Sequence, residues 1–159
     1  MAAHYTDNLG AMEHLLAQLN VARLLYPLDS PEVRGFVDAL DPVNAAADVA
    51  DGFVWRLQTE DGDATAIRVF DDDLLIVNLS VWETLDDLKA FVFGDDHREV
   101  LRRRREWFER ATEPHLVLWW VPAGDTPSIE EAADRLLRLR ENGPAPDAFT
   151  MRTTFEAPS

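Results

Sequence analysis

The sequence contains no cysteine, which removes disulfides, thiolate catalysis and cysteine-ligated zinc together. Lysine is nearly absent as well: Lys89 is the only one among fifteen basic residues. No run approaches the ~20 apolar residues of a membrane span, and no charged segment followed by an apolar one opens the chain as a signal peptide does. A cytoplasmic protein is therefore expected. Positive charge is scarce, since 30 acidic residues against 15 basic ones leave a net charge of −15. That balance argues against nucleic acid or an anionic membrane surface as partner.

What is present suffices for one folded unit. The 159 residues are 47% hydrophobic, enough for a single core and too apolar for wholesale disorder. Residues 1–14 show no clear period and read as an N-terminal extension, leaving 15–156 as a single domain.

The most informative stretch is Leu74 to Phe108. Leu74–Trp82 reads as a central strand whose two faces differ. Leu75, Val77, Leu79 and Val81 form an aliphatic face, expected to carry helices. Ile76, Asn78, Ser80 and Trp82 put an amide, a hydroxyl and an indole on the other, a pattern suited to a pocket wall. Gly94 ends a short helix, and Asp95 or Asp96 can cap the next one. On that second helix Val100, Leu101, Trp107 and Phe108 form an apolar stripe, with His97 and Arg104 in its middle. Two ionisable groups on a face meant for burial need partners. The plain account is a structural histidine and a paired arginine. The functional one is a pocket-facing His97 that moves a proton, with Arg104 orienting an anionic or carbonyl substrate.

The remaining elements follow from punctuation and period. Leu15–Leu25 is a strand on which Gln18, Asn20 and Ala22 share a face. Ser30-Pro31 starts a helix that Asp41-Pro42 should break, with a restart over Val43–Val49. Phe53–Thr59 and Thr65–Phe70 flank Asp61-Gly62 as a hairpin. The acids around that turn are read as solvated turn formers rather than a calcium loop. His115–Val121 is the last core strand, and its adjacent Trp119 and Trp120 must face opposite ways. Ser128 and Glu131 form a capping box for a helix to about Asn142, with Ile129, Ala133, Leu136, Leu137 and Arg140 inward. Ala148–Phe155 is a candidate terminal strand.

This order gives an α+β, ferredoxin-like β-α-β-β-α-β core with extra helices, a mostly antiparallel sheet and helices on one face. The other face, expected to carry Trp55, Ile76, Trp82 and Trp119 or Trp120, would need a cover, and a second copy supplies one. A homodimer is expected. The candidate site comprises His97, Asn78 and Arg104 as reacting groups, with Asn20, Trp55, Ser80, Trp82, Trp107 and Trp119 binding the substrate. No metal site is expected, and a haem is a minor option through His97 or His115.

The segments LAQLNVARLLYPLDSPEVRGFVDALDPVNAAAD, GFVWRL, IVNLSVWE, HREVLRRRREWFE, PHLVLWWVPAG and AFTMRTTFE together resemble a bacterial family known only as a domain of unknown function. That family is placed in the dimeric α/β-barrel superfamily. The resemblance implies two ferredoxin-like sheets meeting across a dimer, each protomer with a pocket between sheet and helices. The superfamily is chemically diverse, spanning antibiotic-biosynthesis-type cofactor-free monooxygenases, haem enzymes, isomerases, cyclases and binding modules, so fold leaves the reaction open. The expectation that results is a small-molecule enzyme acting on an aromatic or polyketide-like metabolite. It would work by cofactor-independent oxygenation or by proton-transfer cyclisation or isomerisation. A non-catalytic ligand-binding module is the alternative.

Overall fold

A computed structural model describes residues 12–58 and 69–158. Among these residues four strands, β1 (His14–Arg23), β2 (Phe53–Arg56), β3 (Leu75–Trp82) and β4 (Leu116–Pro122), form one sheet in the order β2-β3-β1-β4. All three pairings are antiparallel. Helix α1 (Arg34–Asp48) links β1 to β2, a helix pair α2 (Leu85–Val92) and α3 (Asp95–Trp107) links β3 to β4, and α4 (Ile129–Asn142) follows β4. This is the ferredoxin-like α+β arrangement expected from the sequence.

The register makes the two faces explicit. Gln18 pairs with Ser80 and Leu118, and Asn20 with Asn78 and Leu116. Even-numbered residues of β1, β3 and β4 therefore share one face, because strand side chains alternate. On the odd-numbered face, Leu15, Leu19, Leu79, Val81, Val117 and Trp119 pack with Ile129, Ala132, Leu136 and Leu139 of α4. On the even-numbered face there are two separate apolar clusters. Leu16, Trp82, Leu118 and Phe149 meet Leu88 of α2 at one end. Leu24 meets Val33, Phe36 and Trp107 at the other, joining α1 to α3.

The structure departs from several of the expectations above. Both crossovers lie on the face with the polar groups, and the aliphatic face carries α4. Trp82 is buried beneath α2 and Trp119 beneath α4, while Trp55 packs with the Trp119 cluster. The four side chains assigned to one uncovered face are thus divided between the two faces of the sheet. Pro42 lies inside α1 rather than breaking it. Both Asp41 and Pro42 are exposed, so the carbonyl four residues earlier, which lacks a helical donor, can turn to water. Gly94, not Asp95 or Asp96, is the N-cap of α3. Ser128 does accept the Glu131 N–H at 3.0 Å and starts α4, but the buried positions run Ile129, Ala132, Leu136 and Leu139, with Leu137 exposed.

The partner of β2 is β3. Of the expected return strand Thr65–Phe70, Val69 and Phe70 are helical, and 65–68 lie outside the described residues, as do Asp61-Gly62 and most of the N-terminal extension. The expected terminal strand contracts to a bridge in which Leu118 and Phe149 exchange N–H···O bonds of 2.8 Å. Beyond it, the Trp120 indole donates to the Phe155 carbonyl at 2.8 Å.

Gly52, just before β2, has φ +79°, and a Cβ there would stand 2.5 Å from the Asp87 Cβ on α2. Gly52→Ala should combine left-handed strain with a displaced helix. A loss of about 1–3 kcal/mol is expected from a urea titration; an unchanged midpoint would remove this contact as the anchor of α2.

Candidate functional site

The even-numbered face is sealed unevenly. The row Leu118–Gln18–Ser80 is closed, with relative exposures of 0%, 4% and 6%. Leu24, at the far end, is equally buried. Between them the row Leu116–Asn20–Asn78 stays accessible: Leu116 and Asn20 are half-buried and Asn78 is exposed. An exposed residue in the middle of a central strand, on a face that carries three helices, marks an opening between the two apolar clusters.

Behind that row lies a polar network. The Gln18 side-chain amide donates to Asn78 Oδ1 at 2.6 Å and to Ser80 Oγ at 2.7 Å. The Trp82 indole N–H donates to the same Ser80 oxygen at 2.9 Å. Burial of Gln18 and Ser80 is tolerable because each is hydrogen-bonded. The network does not use all its capacity. The Gln18 carbonyl and the Asn78 NH2 have no partner among the described residues. Turning both amides over exchanges their roles but still leaves one donor and one acceptor unused. Gln18 was not among the expected site residues. Its alternation with Leu19 on β1 was the available signal, but nothing in a strand pattern separates Gln18 from Asn20.

Helix α3 connects the two clusters across this opening. At its start the His97 ring packs 5.5 Å from Phe91, which lies 5.4 Å from Trp82. At its end Trp107 is buried against Phe36 at 5.8 Å. Arg103 stacks on Trp107 at 4.7 Å. A Cβ on Gly35 would meet Arg103 Nη2 at 3.0 Å and Trp107 Cζ2 at 3.1 Å, so α1 fits closely against this flank of α3. Leu101 lies on the opposite flank by helical period, and Arg104 falls between it and Trp107. Arg104 is exposed, although its arc position between Val100 and Leu101 points inward.

The expected site residues are therefore not one constellation. Asn20 and Asn78 share the open row, and Ser80 and Trp82 support it from behind. Trp107 is a core residue between α1 and α3. Trp55 and Trp119 sit on the other side of the sheet, where the Trp119 indole donates to Glu131 at 2.9 Å. His97 belongs to the Phe91–Trp82 aromatic stack and makes no hydrogen bond with Asn78. Burial holds its pKa below the ordinary histidine value, against the raising effect of a hydrogen bond to the Val92 backbone. Its Nδ1 is buried without a partner. His115 is also held low, first by desolvation and then by the Arg104 guanidinium, opposed by a hydrogen bond to the Glu113 backbone and lowered further by Arg140. Among the described residues no three His, Asp or Glu side chains are grouped to hold a metal. None of the helices among the described residues is long and apolar enough to cross a membrane.

A family model described as "Domain of unknown function (DUF3291)" matches residues 15–159. No curated protein matches the chain. Solved structures similar to it include a putative antibiotic biosynthesis monooxygenase from Nitrosomonas europaea, at 17% identity, covering 74% of this chain and 96% of that one with a TM-score of 0.46. SnoaB, a cofactor-independent oxygenase from Streptomyces nogalater, matches at 12% identity over 74% of this chain and 98% of its own, with a TM-score of 0.42. Similarity at this level says nothing about the reaction.

The histidine environment has a measurable consequence. A histidine whose folded pKa lies below its unfolded value of ~6.5 leaves the folded state with fewer bound protons. Its stabilising contribution is complete above that pH and declines as pH falls from ~6.5 toward the folded pKa. His97→Leu should abolish this component, so the urea midpoint of the variant should fall less than that of the unaltered protein between pH 7.5 and pH 5.5. Equal losses would mean that His97 titrates normally.

Proposed function

Because the chain belongs to the DUF3291 family, whose description assigns no reaction, we propose a function from the open row itself: the protein binds an oxygen-bearing, otherwise apolar small metabolite, of aromatic or polyketide-like character, over Leu116, Asn20 and Asn78. The observation that carries this reading is Asn78. It is an exposed amide at the centre of the sheet, anchored by Gln18 through one side of its amide and free on the other. A carbonyl or hydroxyl of the ligand would take the unused donor and acceptor, and Leu116 and Leu101 would contact the apolar body. Pockets that combine apolar walls with a few placed polar groups work in this way.

The test uses 1-naphthol as probe, titrated by tryptophan fluorescence. Asn78→Leu should weaken binding about three- to tenfold, the value of one net hydrogen bond, and change the thermal midpoint little because Asn78 is exposed. Trp55→Phe, on the other side of the sheet, should leave binding unchanged. Equal affinity in the unaltered protein and Asn78→Leu would end the proposal.

A second reading, catalysis on the bound metabolite, draws on His97. Its depressed pKa keeps the imidazole neutral near pH 7, the form required of a proton acceptor. The reaction would be cofactor-independent oxygenation of a quinol-type substrate, or a proton-transfer cyclisation or isomerisation. Oxygen uptake with 1,4-naphthohydroquinone measures the first. His97→Gln should lower that rate by ~10² or more if the imidazole carries the proton; a change within about threefold would leave His97 as part of the aromatic stack and the protein as a binding module.

A further inference from the structure

The contact between Gln18 and Asn78 has a direction, and a backbone atom sets it. Either end of a side-chain amide fits the same outline, so donor and acceptor are told apart by their fixed neighbours. The end of the Gln18 amide that meets Asn78 Oδ1 and Ser80 Oγ also lies 3.3 Å from the Asn78 backbone carbonyl oxygen. A backbone carbonyl can only accept. Turning Gln18 over would set its oxygen against that carbonyl with no proton between them, so this end is the NH2. The Asn78 side-chain atom 2.6 Å from it is then the oxygen, since two NH2 groups cannot bond each other. Ser80 agrees with this assignment, because its Oγ accepts from the donor-only Trp82 indole at 2.9 Å and from Gln18 at 2.7 Å. Asn78, exposed in the open row, thus has its oxygen tied to Gln18 and keeps its NH2 for the row. Its neighbour Asn20 makes no side-chain hydrogen bond among the described residues and can turn either way.

We propose that Gln18 is a positioning residue that sets the polarity of the open row. It holds the Asn78 amide so that the row presents a hydrogen-bond donor, and the ligand meets that donor with an acceptor oxygen of the carbonyl class. This rests on the reading that the row is a ligand site, and it narrows that reading. An unpinned amide turns to offer whichever end a ligand needs, as Asn20 can. Asn78 can do so only by giving up its bond to Gln18, which is buried and would be left without that partner. A site that leaves a buried polar group unpaired with the wrong ligand discriminates more sharply than an apolar wall does. A ligand hydroxyl, which accepts as well as donates, stays compatible with the row. A ligand that only donates does not.

The experiment measures, by calorimetry on the whole chain, two bicyclic probes of similar size: 1-indanone, whose carbonyl only accepts, and indole, whose N–H only donates. Their affinity ratio in Asn78→Leu is the baseline set by the apolar bodies alone. The unaltered protein should favour 1-indanone over that baseline by about three- to tenfold, the value of one net hydrogen bond. Asn78→Asp keeps one oxygen for Gln18 and turns a second toward the row, so it should carry the ratio past the baseline in favour of indole. Gln18→Met, similar in shape but without an amide, should return the ratio to the baseline, because the released Asn78 serves both probes. A purely structural Gln18 would instead weaken both probes alike and leave the ratio as it was, which would overturn its positioning role. Asn78 is exposed, so Asn78→Asp tests the direction of the amide even where Gln18→Met does not fold. If Asn78→Leu weakens either probe and Asn78→Asp leaves the ratio of the unaltered protein unchanged, the polarity proposal is overturned while the row remains a ligand site. A preference for indole in the unaltered protein overturns it equally. If neither probe binds, or Asn78→Leu affects neither, the row is not the site and the polarity proposal falls with it.

Discussion

The antiparallel register that holds β1 between β3 and β4 is the constraint from which the rest follows. Side chains alternate with a period of two, so pairing Asn20 with both Asn78 and Leu116 commits every even-numbered residue of three strands to one side. A slip of β1 by one residue would turn Gln18 and Asn20 into the aliphatic layer beneath α4 and bring Leu19 beside Asn78 and Ser80. The hydrogen bonds from Gln18 to Asn78 and Ser80 reinforce the correct pairing, because only that register brings the three polar groups together.

Given that face, the helices cannot seal it everywhere. The aromatic stack from Trp82 through Phe91 to His97 closes one end, and Trp107 with Phe36 and Leu24 closes the other. Helix α3 contributes to both ends and spans the gap. Its close fit on α1 at Gly35 fixes its rotation, so the positions of Leu101 and Arg104 are set by packing rather than by any interaction of Arg104 itself. The accessible row is therefore a product of core packing at its two ends, and its polar groups need no rearrangement to present themselves.

Much of this architecture was legible in the sequence because it rests on local signals. The alternation in Leu74–Trp82, the Ser30-Pro31 start, the Gly94 stop and the Ser128–Glu131 box each carry their own stereochemical reason. What sequence could not supply was the third dimension of each face. Nothing local tells which side of a strand receives the crossovers, so the tryptophans were grouped by residue type. Trp55 and Trp119 proved to belong to the layer opposite Trp82. His97 and Arg104 looked equivalent on a helical projection, yet one enters an aromatic stack and the other remains exposed. Their difference comes from where α1 and α2 press against α3, which depends on residues distant in the chain. The tolerance of Pro42 inside α1 is also a matter of context, since it requires water at the freed carbonyl.

The bridge between Leu118 and Phe149 has a separate implication for the life of the protein in a crowded solution. The outer side of β4 is apolar in sequence, Leu116 to Val121, and an open strand edge of that kind recruits strands from other chains. Phe149 occupies its outward hydrogen bonds at the midpoint, and the chain beyond folds back to receive the Trp120 indole at Phe155. A strand approaching from another molecule finds the central pairing position already taken. The segment around Phe149 thus covers part of the edge at which another chain would pair.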